Sequence, residues 1–376
     1  MLPAGSAADR TAMPFSATDH AHMARALALA ERGLFTTQPN PRVGCVIAHG
    51  DEVVGEGWHQ RAGGPHAEVF ALRDAGERAR GATAYITLEP CGLHGRTPPC
   101  ADALIAAGVA RVVIAAEDTS QAQGAGLARL RGAGIVIETG LMREPARELN
   151  PGFFSRIERG RPYVRVKLAM SLDGRTALAN GASQWITGEA ARADGQRWRA
   201  RSSAILAGSG TVLADNPRLT VRLPAGEDFA PPLRVLLDRD LRIPARFHVM
   251  DGSAPTLLLH DRVIPPPVPV PEGVEHAGVP VDENGRLMLE AVLALLAERG
   301  VNELHVEAGP RLGGALFAAG LADELLLYIA PTFLGDQGRP LMALPTLDAM
   351  ADCWQLQVFD QRIVGPDWRL RLRSAA

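Results

Sequence analysis

Two stretches decide the fold of the N-terminal part, GGPHAEVFAL at residues 63–72 and TLEPCGLHGRTPPC at residues 87–100. A Gly-Gly-Pro turn precedes His66, and the residues after it have a helical composition, so His66 and Glu68 are predicted to open a helix. Cys91 follows an apolar strand, and Cys100 stands at the start of another predicted helix. The pattern therefore brings one histidine, one glutamate and two cysteines to the same region of an α/β fold.

These residues form a ligand set for a metal ion. Two thiolates and one neutral imidazole, from Cys91, Cys100 and His66, suit Zn²⁺ and leave a fourth tetrahedral position for water. Glu68 would take a proton from that water and pass it to the substrate. His-x-Glu followed by Pro-Cys-x-x-Cys is the signature of zinc-dependent nucleobase deaminases. The sequence departs from it because eight residues, GLHGRTPP, separate the two cysteines.

The alternative is a closed structural zinc site, or cysteines that are merely buried. A closed site needs a fourth strong ligand. Cys45 lies in the apolar strand VGCVIA and Cys353 is far away in sequence, so both are predicted to be packing residues. The pattern favours the open, catalytic site.

The composition describes an ordinary globular protein. Its 376 residues are 47% hydrophobic and 22% charged, with a net charge of −3, which predicts two domains of roughly 150 to 220 residues. The 39 basic and 42 acidic residues nearly balance and no basic block occurs, so we expect no nucleic-acid partner. No long apolar run or signal-peptide pattern occurs, so we expect no membrane partner and a cytoplasmic location.

Helical and strand patterns alternate in both halves and predict two α/β domains. We expect a disordered tail over residues 1–15, a first domain over 16–150 and a second over 151–376. In the first domain a helix over 19–32, with Thr18 as N-cap, precedes a β-β-α-β-α-β order. The second is predicted to hold a mainly parallel sheet with the C-terminal hairpin as antiparallel edge.

The second half carries its own candidate site. Lys167, in the strand YVRVKLAM, is the one lysine among the 39 basic residues, and a charge inside a strand needs a partner or ligand. The alternative is an ammonium that reaches water from a sheet edge. Glu307 ends the strand ELHVE, and the glycine-rich turn over 309–314 opens a helix whose N–H groups suit a pyrophosphate. That turn, like GSGT at 208–211, is alternatively an ordinary tight loop.

Taken together, eight motifs resemble the family of bifunctional riboflavin-biosynthesis deaminase/reductases. The resemblance implies an α/β fold with an N-terminal three-layer cytidine-deaminase-like domain and a C-terminal dihydrofolate-reductase-like domain. The motifs are PNPRVGCVI (39–47), HAEVFAL (66–72), TLEPC (87–91), GRTPPC (95–100), KLAMSLDGRTA (167–177), SQWIT (183–187), TVLADNPRLTVR (211–222) and VEAGPRLGGAL (306–316).

The resemblance implies two reactions on one phosphorylated pyrimidine. Zinc-dependent hydrolysis removes an amino group from 2,5-diamino-6-(5-phosphoribosylamino)pyrimidin-4(3H)-one. Reduction by NADPH then converts the ribosyl side chain of 5-amino-6-(5-phosphoribosylamino)uracil to ribityl. One Zn²⁺ per deaminase domain, NADPH and a homo-oligomeric state are expected on the same ground.

Roles for individual residues also follow from the resemblance. Beside the zinc ligands and Glu68, Asn40 would contact the substrate ring, while His94 and Arg96 either meet its phosphate or are exposed loop residues. In the reductase, the expected substrate contacts are Ser183, Arg199, Leu219, Arg222 and Glu307. The expected cofactor contacts are Ala169, Trp185, Thr211, Asp215, Arg239, Gly309, Pro310, Arg311, Leu312, Gly313, Gly314 and Ala315.

Three questions stay open at this level. Lys167, Asp215 and Glu307 are all candidates for the acid that supplies a proton in the reduction. A nucleoside or tRNA-editing deaminase fused to an unrelated domain shares the His-Ala-Glu core, but it predicts a basic groove. A regulatory module with structural zinc and a dinucleotide-sensing domain predicts metal binding without turnover.

Overall fold

The structure, a computed structural model, describes residues 15–92, 99–119 and 125–374. Two compact units share the chain: one contains the chain up to Gly33 and Arg42–Leu149, and the other contains Leu34–Pro41 and the chain from Asn150 onward. The predicted tail over 1–15 therefore falls almost wholly outside the described residues. Among the described residues, no helix combines the length and apolar character that a membrane span needs.

The first unit has a sheet between two layers of helices, as predicted, but the sheet has five strands, one more than the predicted order contains. The sheet order is β2-β1-β3-β4-β5, with β1 antiparallel to both neighbours and β3, β4 and β5 parallel. Helices α1 and α5 contact each other and the sheet, while α2, α3 and α4 pack in one apolar cluster with residues of the sheet. In chain order, the elements are α1 (Ala17–Glu31), β1 (Gly44–His49), β2 (Glu52–Trp58), α2 (Ala67–Ala75), β3 (Thr83–Leu88), α3 (Cys100–Ala106), β4 (Arg111–Ala116), α4 (Ala125–Gly132), β5 (Val136–Thr139) and α5 (Arg143–Leu149).

The second unit is built on a nine-stranded sheet in the order β11-β10-β9-β8-β12-β6-β13-β16-β15. All pairs from β11 to β13 are parallel, and the hairpin of β15 and β16 adds the predicted antiparallel edge. The elements are α6 (Pro151–Arg159), β6 (Tyr163–Ser171), β7 (Arg175–Ala177), α7 (Glu189–Arg201), β8 (Ala204–Gly208), α8 (Ser209–Asp215), β9 (Leu233–Leu237), β10 (Thr256–Asp261), β11 (Val274–Val279), α9 (Leu289–Glu298), β12 (Glu303–Val306), α10 (Pro310–Ala318), β13 (Glu324–Ala330), β14 (Arg339–Pro340), β15 (Leu356–Val364) and β16 (Asp367–Ser374).

The two faces of this second sheet differ in chemistry. One face forms a large aliphatic core in which α9 and α10 pack on the strands. On the other face, the fully buried Arg165 donates to Glu303 (3.0 Å) and to Glu324 (2.9 Å). The guanidinium of Arg165 also lies 4.6 Å from the ring centroid of Trp198 on α7. A charge is tolerated inside this sheet because each charged group has a partner of opposite sign.

One local prediction was wrong, and some elements were not predicted at all. Ser16 and not Thr18 caps α1: its hydroxyl accepts from the backbone of Asp19, whose carboxylate accepts from the backbone of Ser16. Helix α4 and strands β5 and β11 were not predicted, because β5 is a short, partly exposed strand and β11 reads VEHAGV, with polar and glycine residues.

The contact units also differ from the predicted domains at residues 34–41, which pack within the second unit. The Gln38 side-chain oxygen accepts hydrogen bonds from Ser203 (2.9 Å) and Asn302 (3.0 Å), and Asn302 also donates to the Pro39 carbonyl. No change in composition at residues 34–41 signals these polar contacts. The segment was therefore predicted to belong to the first domain, with its neighbours along the chain.

Candidate active sites

The three predicted metal ligands lie together in the first unit. His66 is the N-cap of α2, Cys100 is the first residue of α3, and Cys91 follows the end of β3. His66 Nδ1 lies 3.2 Å from Cys100 Sγ and 3.6 Å from Cys91 Sγ, and the three ligand atoms all lie within 4.8 Å of one another. The long interval between the cysteines therefore does not separate the thiols.

The donor set fits a zinc ion. Ordinary Zn–S and Zn–N bond lengths in a tetrahedron put ligand atoms about 3.5 to 3.8 Å apart, close to the distances found here. The thiols also interact: a hydrogen bond with Cys100 lowers the pKa of Cys91, and the same bond raises the pKa of Cys100. A divalent cation would favour both thiolates. Among the described residues, no fourth histidine, cysteine or carboxylate joins the cluster, which fits an open site better than a closed one.

Glu68 lies in the first turn of α2, two residues after His66, and its side chain is buried. Burial is the main reason that the pKa of Glu68 is raised, and the carboxyl group also interacts with Cys100. The helix that carries it sits very close to β2, because a Cβ added at Gly57 would collide with the Ala67 carbonyl oxygen. The glycine thus lets the helix start lie directly on the sheet.

The structure adds one residue that sequence reasoning missed. His59, directly after β2, is buried, and its ring lies edge-on to His66 with centroids 5.5 Å apart. Its Nδ1 donates to the Pro65 carbonyl at 3.0 Å, and burial lowers its pKa. The sequence signal that could have pointed to His59 was its position between the end of a predicted strand and the Gly-Gly-Pro turn.

The other predicted contacts of the deaminase site stay predictions. Asn40 is half-buried in the segment Leu34–Pro41 of the second unit, where its backbone N–H donates to the Thr37 carbonyl. The metal ligands belong to the first unit, and the ring contact of Asn40 stays a prediction. His94 and Arg96 lie outside the described residues. Cys45 is a fully buried core residue, as predicted, and Cys353 is half-buried.

A second cluster forms where β6 and β12 lie side by side at the carboxyl ends of the parallel strands. Glu307 directly follows β12, and its carboxylate faces the guanidinium of Arg199 from α7. Arg199 Nη2 donates to Glu307 Oε2 at 2.7 Å, Nε donates to Oε1, and Nη1 donates to the Thr220 carbonyl at 2.9 Å. Burial raises the pKa of Glu307, but Arg199 outweighs it and holds that pKa well below its usual range.

Lys167 lies on β6, between β12 and β13, so it is not at a sheet edge. Burial lowers the pKa of Lys167, the Glu307 carboxylate raises it and Arg199 lowers it. Its Nζ lies 5.6 Å from the ring centroid of Tyr328, and within the described part of the chain no ion pair engages it. The lone lysine is therefore a half-buried amine whose charge is affected by a carboxylate that Arg199 already binds.

Two further arginines, Arg218 and Arg222, lie near this cluster. The exposed Arg222 has no ion pair within the described ranges, and burial, then the charge of Arg199, lowers its pKa, with a smaller contribution from Arg218. Leu219 is only 2% exposed, has a φ of 50° and packs in an apolar cluster with Val212 of α8. Ser183 is half-buried.

Several of the predicted cofactor residues follow the carboxyl ends of parallel strands, Thr211 after β8, Arg239 after β9 and Gly309 after β12. Gly309 is the N-cap of α10, and no side chain caps its first turn in the described structure, while a Cβ added at Gly309 would meet open space. These features fit a pyrophosphate at the helix start. Ala169 lies on β6 and Thr211 and Asp215 on α8, with Asp215 exposed, and Trp185 is 69% exposed. Pro310, Arg311, Leu312, Gly313, Gly314 and Ala315 form the first two turns of α10.

Arg239 does not present a free guanidinium at this edge. Its Nε donates to Asp240 at 2.7 Å, Nη2 donates to the same carboxylate at 3.0 Å, and Nη1 contacts the Gly285 carbonyl. A phosphate would have to replace the neighbouring carboxylate before it met this arginine.

Comparison with known families agrees with both units. The model of the cytidine and deoxycytidylate deaminase zinc-binding region matches residues 16–116, and the model of the RibD C-terminal domain matches residues 162–365. The chain is 50% identical to the riboflavin biosynthesis protein RibD of Escherichia coli (strain K12), over 95% of this chain and 100% of that protein. It is 45% identical to RibD of Haemophilus influenzae, over 95% and 98% of the two chains.

Solved structures give the same result. RibD of Acinetobacter baumannii superimposes with a TM-score of 0.88 at 42% identity, over 96% of this chain and 99% of that one. The deaminase/reductase of Thermotoga maritima superimposes with a TM-score of 0.84 at 31% identity, over 95% and 99%.

A deaminase-type metal site in one unit and a reductase domain in the other define a bifunctional deaminase/reductase. The chain belongs to the RibD family, whose members act in riboflavin biosynthesis. The predicted fold class, family and pair of activities are thereby confirmed. The individual residue roles, the domain limits, the oligomeric state and the identity of the cofactors stay predictions.

Proposed function

We propose that the first unit hydrolyses the exocyclic amine of 2,5-diamino-6-(5-phosphoribosylamino)pyrimidin-4(3H)-one with zinc on His66, Cys91 and Cys100. The observation that carries this proposal is the cluster of one imidazole and two thiols with a buried carboxyl group beside it. Zinc, when bound, makes water acidic enough to ionise near neutral pH.

Glu68 moves the protons of this reaction. Water adds to the carbon that carries the amino group and ammonia leaves, so one proton must reach the ring nitrogen and another the departing amine. A carboxyl group whose pKa is raised by burial can both accept and return a proton near neutral pH. The buried His59 stays neutral, because burial lowers its pKa, and its ring packs beside the ligand His66.

In the second unit, we propose reduction of the ribosyl side chain of 5-amino-6-(5-phosphoribosylamino)uracil, with Lys167 as the proton donor. NADPH, when bound at the start of α10, supplies the hydride. One proton must then reach the nitrogen or oxygen of the opened sugar. Glu307 is a poor donor because Arg199 holds it as an anion, and Asp215 is exposed at the end of α8. Lys167 carries a transferable proton, and burial has lowered its pKa.

The same cluster suits the rest of the substrate. Arg222 offers a guanidinium that no carboxylate of the described chain occupies, as a site for the 5′-phosphate. Glu307, fixed by Arg199, offers carboxylate oxygens that accept hydrogen bonds from sugar hydroxyls or the ring. Because Arg199 is committed to Glu307 and to the Thr220 carbonyl, its role is to hold Glu307 more than to bind phosphate.

The direct experiment supplies the purified protein with the diaminopyrimidine phosphate and NADPH, and follows ammonia and absorbance at the nicotinamide band. Ammonia release should precede NADPH oxidation. Lys167→Met should release ammonia at the normal rate and oxidise NADPH at least about 100-fold more slowly. Equal loss of both activities would show a folding defect, and normal NADPH oxidation would remove Lys167 from the mechanism.

A further inference from the structure

His305 is a fully buried histidine that neither reaction, as proposed, uses. It lies on β12 between Ile205 of β8 and Arg165 of β6, and its side chain is on the same sheet face as Glu307 two residues later. Its Nε2 lies 3.3 Å from Glu307 Oε1. This contact is close but not aligned as a hydrogen bond, and neither ring nitrogen has an aligned hydrogen-bond partner among the described residues.

The surroundings of His305 keep the ring neutral. Burial lowers its pKa, Glu307 raises it, and two cations lower it, Arg165 from β6 and Arg199 from α7. On the third side, β8 places the apolar Ile205 opposite. A neutral imidazole has one N–H, and a carboxylate whose pKa is held low accepts but does not donate. The contact of Nε2 with Glu307 Oε1 at 3.3 Å is attractive in the tautomer that carries the proton on Nε2.

A second group is needed to fix the orientation of the Glu307 carboxylate. The backbone N–H of Glu307 still donates to the Leu206 carbonyl of β8 at 2.9 Å, but its side chain has three rotatable bonds. Arg199 binds both carboxylate oxygens from α7, so the carboxylate would follow any movement of that helix. The N–H of His305, a residue of β12 itself, would keep Glu307 Oε1 close to the strand that precedes Glu307.

We infer that His305 is a positioning residue of the reductase site, whose Nε2–H fixes the Glu307 carboxylate in the orientation that binds the pyrimidine substrate. The inference rests on the proposed substrate contact of Glu307. It assigns His305 no contact with substrate or cofactor.

Two substitutions separate positioning from packing. His305→Leu keeps a buried side chain but removes the donor, whereas His305→Gln keeps an N–H near the position of Nε2. With 5-amino-6-(5-phosphoribosylamino)uracil, His305→Leu should raise KM about 10- to 100-fold, the range for one hydrogen bond to a charged group. His305→Gln should recover most of that loss. The KM for NADPH and the rate of ammonia release should not change.

The pH profile gives a readout that packing alone would not move. Removing a donor from a carboxylate raises its pKa, so the acid limb of kcat/KM should move to higher pH in His305→Leu and return in His305→Gln. His276→Leu is the matched control, because His276 on the edge strand β11 also has both ring nitrogens buried without a partner. It should change neither KM nor the pH profile.

Glu307→Gln distinguishes the inference from the function on which it rests. If Glu307→Gln leaves the reductase KM unchanged, the proposed substrate contact of Glu307 is wrong, and the inference falls with it. If Glu307→Gln raises KM, adding His305→Leu should raise it no further. Additive losses, or equal losses in His305→Leu and His305→Gln, would overturn the positioning role alone.

Discussion

Replacing Arg165 by leucine tests the charged face on which the reductase site is built. The substitution removes the central cation between Glu303 and Glu324, both fully buried. Each carboxylate keeps another arginine, since Arg201 donates to Glu303 at 3.1 Å and Arg371 to Glu324 at 2.8 Å. Breaking a buried pair costs about 3–5 kcal/mol, and the remaining partners place the expected loss near the lower end, about 3 kcal/mol.

That loss is large enough to measure by calorimetry. For a unit of this size, about 1 kcal/mol shifts the melting temperature by about 2–4 °C, so Arg165→Leu should melt about 6–12 °C lower. The transition of the second unit is identified as the one that NADPH raises. The control is Arg299→Leu, which breaks an exposed pair with Glu275 and should lose at most about 1 kcal/mol. Equal shifts in the two variants would refute the role of the buried network.

Three further predictions concern pH and packing. The ammonium of Lys167 is the proposed donor, and burial lowers its pKa. The rate of NADPH oxidation should therefore be constant at lower pH and fall as pH rises through a pKa below that of an ordinary lysine. A loss of rate only above pH about 10.5 would contradict this prediction. Gly57→Ala should lower both zinc content and ammonia release by pushing α2 off β2, with NADPH oxidation unchanged as internal control. Burial raises the pKa of Asp19, but hydrogen bonds from Arg111, Ser16 and Tyr85 lower it well below its usual range. Asp19 therefore stabilises the first unit at pH values above its pKa in the unfolded chain, and this stabilisation is lost as pH falls through its pKa in the folded protein. In Asp19→Asn, melting curves measured at acid pH should lose this part of their pH dependence.

The metal site could be predicted because its residues depend on local sequence. His66 and Glu68 share one helix start after a Gly-Gly-Pro turn, and Cys91 and Cys100 flank a strand end and a helix start. The parallel sheet of the second unit also followed from alternation of pattern. The isolated Lys167 pointed to the reductase cluster, because a charged residue in an apolar strand needs a partner.

The remaining features depend on contacts between residues distant along the chain. The sequence does not show that Arg199 binds Glu307, 108 positions away. For this reason, the sequence alone could not decide whether Lys167, Asp215 or Glu307 donates the proton in the reduction. His305 reads as one polar residue in an apolar strand, and only the register of β12 against β6 and β8 shows that it is buried among cations. The segment over residues 34–41 packs with the second unit through single polar side chains, which leave no pattern.

The central claim is that one chain carries two separate active sites that work in order. The most direct measurement gives Glu68→Gln, loaded with zinc, NADPH and either of two substrates. With the diaminopyrimidine phosphate, neither ammonia release nor NADPH oxidation should exceed about 1% of the normal rate. With 5-amino-6-(5-phosphoribosylamino)uracil, NADPH oxidation should be normal. Ammonia release at the normal rate, or loss of NADPH oxidation with the second substrate, would contradict the claim.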